Sequence, residues 1–325
     1  MASQQVENAT LTAVPGLAVG HASAEGTATG CTVVLGPFRA AVDVRGLASG
    51  TRQLDSLAPQ HLVPGVDALL LAGGSAYGLA AADGVASWLE EQGRGLETRA
   101  GRVAIVPSAV IFDLGEGRAD RRPDAALGRA ACKAASRAPV AEGRVGVGAG
   151  ATVGKLFGRA GAMLGGVGSA ASVLDGIVVG ALVVVNAFGD VLDREGRIIA
   201  GARGGDGAFA DTAAYLRDRG APPGFGSQAG TNTTLGVVAT DAPLSRVDLQ
   251  AVARQAMNAV VRRISPANTE YDGDLVFACS TADEVEPITP EGRLRIGLRA
   301  EWALARAIER AVRRKAGEPG ALEAH

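Results

Sequence analysis

Apolar positions along this chain fall into short runs separated by glycine-rich turns. Residues 32–35, 68–72, 103–106, 177–185, 235–239 and 275–278 are rich in Val, Ile, Leu and Ala. Runs this short, bounded by turn residues, read as buried strands. Between some of them the apolar period lengthens to that of a helix. Residues 75–91 place Leu79, Val85, Ala86 and Leu89 at helical spacing, with Trp88 completing the face. Residues 244–264 repeat the pattern with Leu249, Val252, Ala256, Ala259 and Val260. A third helix is expected over 299–316, where an apolar stripe ends in basic residues that suit the helix macrodipole.

One stretch breaks the pattern's economy. In "AGTNTTLGVVATDAP", residues 229–243, an Asn and two threonines stand at the threshold of an almost wholly apolar strand. Asn favours turns and Thr favours strands, which is one reading; a backbone built to break there is the other. The preceding segment, residues 203–230, is rich in Gly, Asp and Ala, contains Pro222 and Pro223, and reads as a flexible surface linker.

Composition narrows the class. At 325 residues, with 47% hydrophobic and 20% charged positions, the chain is globular and long enough for one large domain or two ordinary ones. A net charge of −2, with Lys and Arg scattered among acids, gives no reason to expect nucleic acid or an anionic membrane as partner. The longest apolar run is about half of what a bilayer span needs. Cys31, Cys132 and Cys279 are odd in number and widely spaced, against a disulfide framework or a zinc site. The polar start carries no secretory pattern, so a cytoplasmic setting is expected.

Several motifs carry candidate chemistry. "GVGAGATVGKL", residues 146–156, resembles a phosphate loop, but Ala149 and Leu156 break the required spacing. The glycines instead lead a tight backbone to Lys155, whose Gly, Val, Leu and Phe neighbours favour partial desolvation and a lowered pKa. The same approach predicts a lysine held close but not deeply buried. "LLLAGGSAYGLAAADG" is a strand, glycine turn and helix without dinucleotide-loop spacing, and it sets Tyr77 at the mouth of the turn. "VVVNAFGDVLD" leaves Asn186 at the end of the longest apolar strand, either as a turn former or as an amide donor aimed at a cleft. "YDGDLVFA" places Asp272 and Asp274 around Gly273 as a turn or a metal half-site, with no EF-hand loop following. His21 and His61 find no nucleophile elbow to support a triad.

Together these blocks, with "GLAVGHASAEGTATGCTVVL", "AAVDVRGLASGTRQLD", "VPSAVIFDL" and "PDAALGRAA", resemble one family through nearly the whole chain. It is the self-processing aminopeptidase and amide-hydrolase family (peptidase family S58) of D-aminopeptidase/esterases, β-aminopeptidases and nylon-oligomer hydrolases. The resemblance implies an α+β fold, an αββα sandwich like that of N-terminal-nucleophile hydrolases. It implies one domain over residues 1–325 that cuts itself, through a strained turn, into 1–232 and 233–325. The cut falls between Asn232 and Thr233, as in the nylon-hydrolase branch. Thr233 becomes nucleophile, with Lys155, Asn186, Asp272 and Asp274 as catalytic partners and Tyr77 as a substrate contact. The expected substrate is a small peptide or oligoamide; no metal or cofactor is needed, and the assembly is a homotetramer of processed αβ units. An acyltransferase of the ornithine acetyltransferase type and a non-cleaving binding protein stand as alternatives.

Overall fold

The computed structural model describes residues 8–223, 225 and 231–313. Nine strands build its main sheets: β1 (Ala18–Ser23), β2 (Gly30–Val44), β3 (Gly50–Arg52), β4 (Val66–Ala72), β5 (Ser108–Val110), β6 (Gly166–Leu174), β7 (Ile177–Asn186), β8 (Thr233–Thr240) and β9 (Leu275–Ser280). The long strand β2 belongs to two sheets. Its first half lies between β1 and β4, its register shifts between Leu35 and Phe38, and its second half pairs with β9. One sheet therefore carries β1–β2–β4–β5–β3 and the other β2–β9–β8–β7–β6.

The period of two in each strand divides the side chains between layers. The alternation is clearest in the central strands: Leu182 and Val184 of β7, Leu235 and Val237 of β8, and Leu275 and Phe277 of β9 face the other sheet. There they meet Val34, Leu69 and Leu71. The opposite faces are covered by helices. Val183, Val238 and Val276, each one position out of step with the inward set, pack under α4 (Arg246–Arg263) and α5 (Pro290–Val312). On the far side Val33, Ala68 and Leu70 pack under α1 (Ala81–Glu91) and α2 (Ala125–Ala134). The layers are helix, sheet, sheet, helix, as the αββα expectation required.

Local signals explain the helix ends. Ser245 and Asp248 form a reciprocal capping box at the start of α4, and Thr289 caps α5 with Pro290 in its first turn. Three expectations are corrected. Residues 103–106 are not a sheet strand; Val103 ends an exposed hairpin and the sheet strand is β5, five residues later. Helix α5 begins at Pro290, earlier than 299, and the last expected residues, 314–316, lie outside the described residues. The linker is partly built: α3 (Thr212–Arg219) is capped by Asp211, and buried Asp190 accepts the Thr212 N–H and hydroxyl. Residues 224 and 226–230 of that linker lie outside the described residues.

Candidate active site

Sheet register assembles the site. In the antiparallel β7–β8 pair Asn186 lies directly opposite Thr233. In the parallel β8–β9 pair Leu235 matches Leu275, and the pairing continues backwards to a bridge between Asn232 and Asp272. Thr233 thus sits between Asn186 and Gly273. Its side chain is on the face of β8 that carries Leu235 and Val237, at the end of the gap between the two sheets. Thr234 points the other way, as a strand residue. Gly273 is required where it stands, since a Cβ there would lie 2.8 Å from Thr233 Oγ1 and 2.9 Å from the Ala48 carbonyl oxygen.

Lys155 arrives from the glycine-rich loop. Gly154, at φ +69°, donates to the Gly189 carbonyl, and the Lys155 N–H donates to the Phe188 carbonyl at 2.9 Å. A side chain at 154 would run into the Ala202 backbone. Lys155 Nζ then donates to Asn186 Oδ1 (2.9 Å), to the Asn186 carbonyl (3.1 Å) and to the Thr231 carbonyl (3.3 Å). Only 6% of the residue is exposed, so the expectation of a shallow lysine was wrong. Burial lowers its pKa to about 7, although the charges of Asp272, Glu116, Asp113 and Asp274 favour the ammonium. Three acceptors match the three N–H bonds of an ammonium.

The Asn186 amide is fixed by its neighbours. Its oxygen accepts the Thr152 N–H at 3.1 Å as well as Lys155, so its Nδ2 faces the carbonyls of Phe112 (3.2 Å) and Thr231 (3.3 Å). The two aspartates hold backbone. Asp272 accepts from the Phe188 N–H (3.3 Å) and from the hydroxyl and N–H of Thr269. Asp274 accepts from the N–H groups of Thr234 (2.6 Å) and Asn268 (2.9 Å). Burial raises both pKa values, and the charge of Asp272 reinforces the rise at Asp274. Among the described ion pairs neither joins Lys155; Asp272 reaches it through Phe188, whose N–H it accepts and whose carbonyl accepts from Lys155.

The Thr233 hydroxyl donates to the carbonyl oxygen of Asn232 at 2.5 Å, and the Gly273 N–H donates to that same oxygen at 2.8 Å. The turn expected to be strained at Asn232 and Thr233 carries no left-handed backbone. Neither residue is among the described non-glycine positions with positive φ, and Asn232 simply extends the ladder.

Tyr77 stands apart from this network. It is exposed, with the Arg122 guanidinium 3.9 Å above its ring. Two groups escaped the sequence reading although "VPSAVIFDL" contains both: Phe112, which offers its carbonyl to Asn186, and Asp113. Asp113 Oδ1 accepts the Gly74 N–H at 2.6 Å, and burial raises its pKa to about 6 against that bond and the nearby Thr29 hydroxyl. Its trace in the sequence is a lone acid directly after the apolar residues 109–112, which also looks like a strand end. Upstream of Asn232, Phe225 packs edge-on against Phe188 and Tyr271, with ring centroids 5.4 and 5.1 Å away. An open cavity of about 520 Å³ lies beyond Phe157, lined by Phe209, Tyr215 and Arg219 among others, and none of the five catalytic candidates borders it.

Residues 9–317 match the model of peptidase family S58. The chain belongs to peptidase family S58. An uncharacterized aminopeptidase of Mycobacterium tuberculosis is 44% identical over 92% of this chain and 92% of its own length. A 6-aminohexanoate-oligomer endohydrolase of a Kocuria species is 37% identical, over 90% of this chain and 81% of its own. Among solved structures, a Burkholderia β-aminopeptidase superposes with a TM-score of 0.71 at 21% identity, covering 96% of this chain and 88% of that one. An Ochrobactrum anthropi L-aminopeptidase D-Ala-esterase/amidase, described as a variant of the Ntn hydrolase fold, gives 0.68 at 21% identity, covering 93% and 85%. As a member of family S58 the protein is an amide-bond hydrolase on the Ntn-hydrolase fold, which removes the binding-protein alternative.

Proposed function

We propose that this S58 hydrolase cuts itself between Asn232 and Thr233 and then uses Thr233 as an N-terminal nucleophile against short peptides or oligoamides. The observation that carries the reading is the Thr233 hydroxyl held against the carbonyl of its own preceding residue, beside buried Lys155 and Asn186. Thr233 Oγ attacks the Asn232 carbonyl carbon, the C–N bond breaks, and the hydroxyl proton ends on the nitrogen. Water then opens the ester, giving the Asn232 carboxylate and a free Thr233 amine and hydroxyl.

In the cut enzyme that amine, with an ordinary pKa near 8, accepts the hydroxyl proton as substrate is attacked. Burial lowers the Lys155 pKa to about 7, so its ammonium form holds the amine neutral by charge repulsion at and below neutral pH, while above it the neutral Lys155 amine is the alternative base. Asn186 Nδ2 stabilises the oxyanion, a contribution of roughly 3–4 kcal/mol by analogy with other such donors. The amine leaves with a proton, and water resolves the acyl-enzyme. The named activities of the similar proteins, an aminopeptidase and an oligoamide endohydrolase, support amide substrates of this size. The same reading carries a homotetramer of cut units. The exposed stripe Leu294, Leu298 and Trp302 on α5 suits burial between copies, and a native mass equal to one chain would exclude it.

Intact mass under denaturing conditions tests the cut. Two fragments are expected, residues 1–232 and the remaining 325 − 232 = 93 residues. N-terminal sequencing of the smaller should begin Thr-Thr-Leu-Gly-Val-Val, and Thr233→Ala should fold as one uncut, inactive chain. A fully active wild type that stays intact would refute the nucleophile.

A further inference from the structure

Two successive carbonyls in this chain are held by two different sets of donors. The Asn232 carbonyl, at the scissile bond, takes the Gly273 N–H at 2.8 Å. The Thr231 carbonyl, one peptide upstream, takes Asn186 Nδ2 and Lys155 Nζ, each at 3.3 Å. We propose that the backbone N–H of Gly273 is the oxyanion donor for self-cleavage, while the Asn186–Lys155 position, filled in the uncut chain by the Thr231 carbonyl, receives the substrate carbonyl only after the cut. The proposal rests on the reading of Asn232 and Thr233 as the cleavage pair.

The geometry suits a preorganised donor. When Thr233 Oγ attacks, the bond from Oγ to the Asn232 carbon forms and the carbonyl π electrons move onto the oxygen that Gly273 already contacts. The tetrahedral centre then collapses with loss of the Thr233 nitrogen, which takes the hydroxyl proton. The peptide unit that supplies the Gly273 N–H is itself gripped from behind, because the Asp272 carbonyl of that unit accepts the Ala48 N–H at 2.9 Å. Two hydrogen bonds in series polarise the unit and strengthen its donor end. The next carbonyl but one, of Asp274, is held by the N–H groups of Arg45 (3.0 Å) and Gly46 (3.1 Å), so both ends of the Asp272–Asp274 turn are pinned before any reaction occurs. Fixed donors of this kind stabilise developing charge without reorganisation.

A side chain at 273 would also crowd the nucleophile, since its Cβ would lie 2.8 Å from Thr233 Oγ1, and the alanine and proline variants carry that crowding alike. A second consequence follows for the substrate. While the Thr231 carbonyl holds both donors of the Asn186–Lys155 position, no substrate carbonyl can use them, so the uncut chain occupies its own substrate position.

The hydrogen bond from Gly273 also continues the β8–β9 ladder, and a purely structural bond would change stability, not the rate of cutting. The experiment therefore reads rate. Cell-free synthesis with glycolic acid at position 273 replaces the N–H by oxygen and leaves every side chain in place; alkali cleavage at the new ester confirms incorporation. Self-cleavage should slow on the order of a hundredfold, the usual loss for one oxyanion donor. Material matured by long incubation should lose clearly less in hydrolysis of a simple amide than the ester protein lost in cutting. Cutting at the wild-type rate by the ester protein would overturn the assignment, and equal losses in cutting and hydrolysis would overturn the division into two positions. If circular dichroism shows the ester protein unfolded, Gly273→Pro and Gly273→Ala replace it. The proline variant lacks the N–H and should cut at least tenfold more slowly than the alanine variant, and equal rates would count against the proposal. A wild type that is never cut would instead remove the cleavage reading itself.

Discussion

Lys155 shows how a side chain can be legible in kind and misread in setting. Its glycine-rich approach marked it as held in place, but glycine says nothing about what covers the far side. Here the cover is the chain's own Thr231 and Asn186, which no local pattern foretells. Asn186 and the Asp272–Asp274 pair were legible because each sits at the edge of a strongly apolar strand. Asp113 was not, because a single acid after "AVIF" looks like a strand end. Burial of Lys155 has a measurable consequence. Its folded value of about 7 lies below the ordinary 10.5, so between those values the unfolded chain binds a proton that the folded chain does not. The contribution of Lys155 to stability must therefore rise with pH across that window. Lys155→Met removes the group and with it that rise, so the wild-type minus variant difference in urea midpoint should grow from about pH 7 to about pH 9. The same variant should lose at least about a hundredfold in turnover. Parallel midpoints at the two pH values would mean that Lys155 does not titrate in this window.

At the scale of elements, period-two and period-3.6 patterns found the strands and helices with branched aliphatic faces. They missed those built on small residues. Strand β6 reads "GVGSAASVL", which has loop composition, yet it lies under α5 because small residues let the helix backbone come close. A Cβ at Gly168 would run into the Ala307 carbonyl oxygen and lie 2.6 Å from the Ala311 nitrogen. Helix α2 escaped notice for the same reason, since Gly84 of α1 and Gly128 of α2 each face the other helix's backbone. Gly168→Ala should accordingly destabilise the protein by about 1–3 kcal/mol, the usual cost of overpacking. A gain in stability, as expected where a glycine merely adds entropy to the unfolded chain, would show that the α5–β6 approach is looser than described. Measuring thermal midpoints of the two proteins, both cut and uncut, decides between these.

On the scale of the whole molecule, the layered architecture was legible only through resemblance, because neither strand order nor the sharing of β2 between two sheets leaves a local trace. What that architecture does explain is how a backbone can be cut near the middle of a sheet without coming apart. The new terminus would fall at the first residue of β8, which is hydrogen-bonded along its length to β7 on one side and β9 on the other. Strand β7 belongs to the larger fragment and β9 to the smaller; of the smaller fragment's helices α5 covers the sheet face of β6 and β7, and α4 lies over β2 and β9. Separating the fragments would expose that whole helix–sheet interface as well as the ladder. The cut itself removes one backbone link at a strand end and no packed side chain. Residues 1–232 and 233–325 should therefore co-elute on gel filtration in native buffer, and unfold in a single cooperative transition in which both fragments lose structure together. Tryptophan emission can follow this fragment by fragment, since Trp88 lies in the larger piece and Trp302 in the smaller. Spontaneous dissociation of the smaller fragment under native conditions, or two well-separated transitions, would mean that β8 is held less by the sheet than by its covalent link to Asn232.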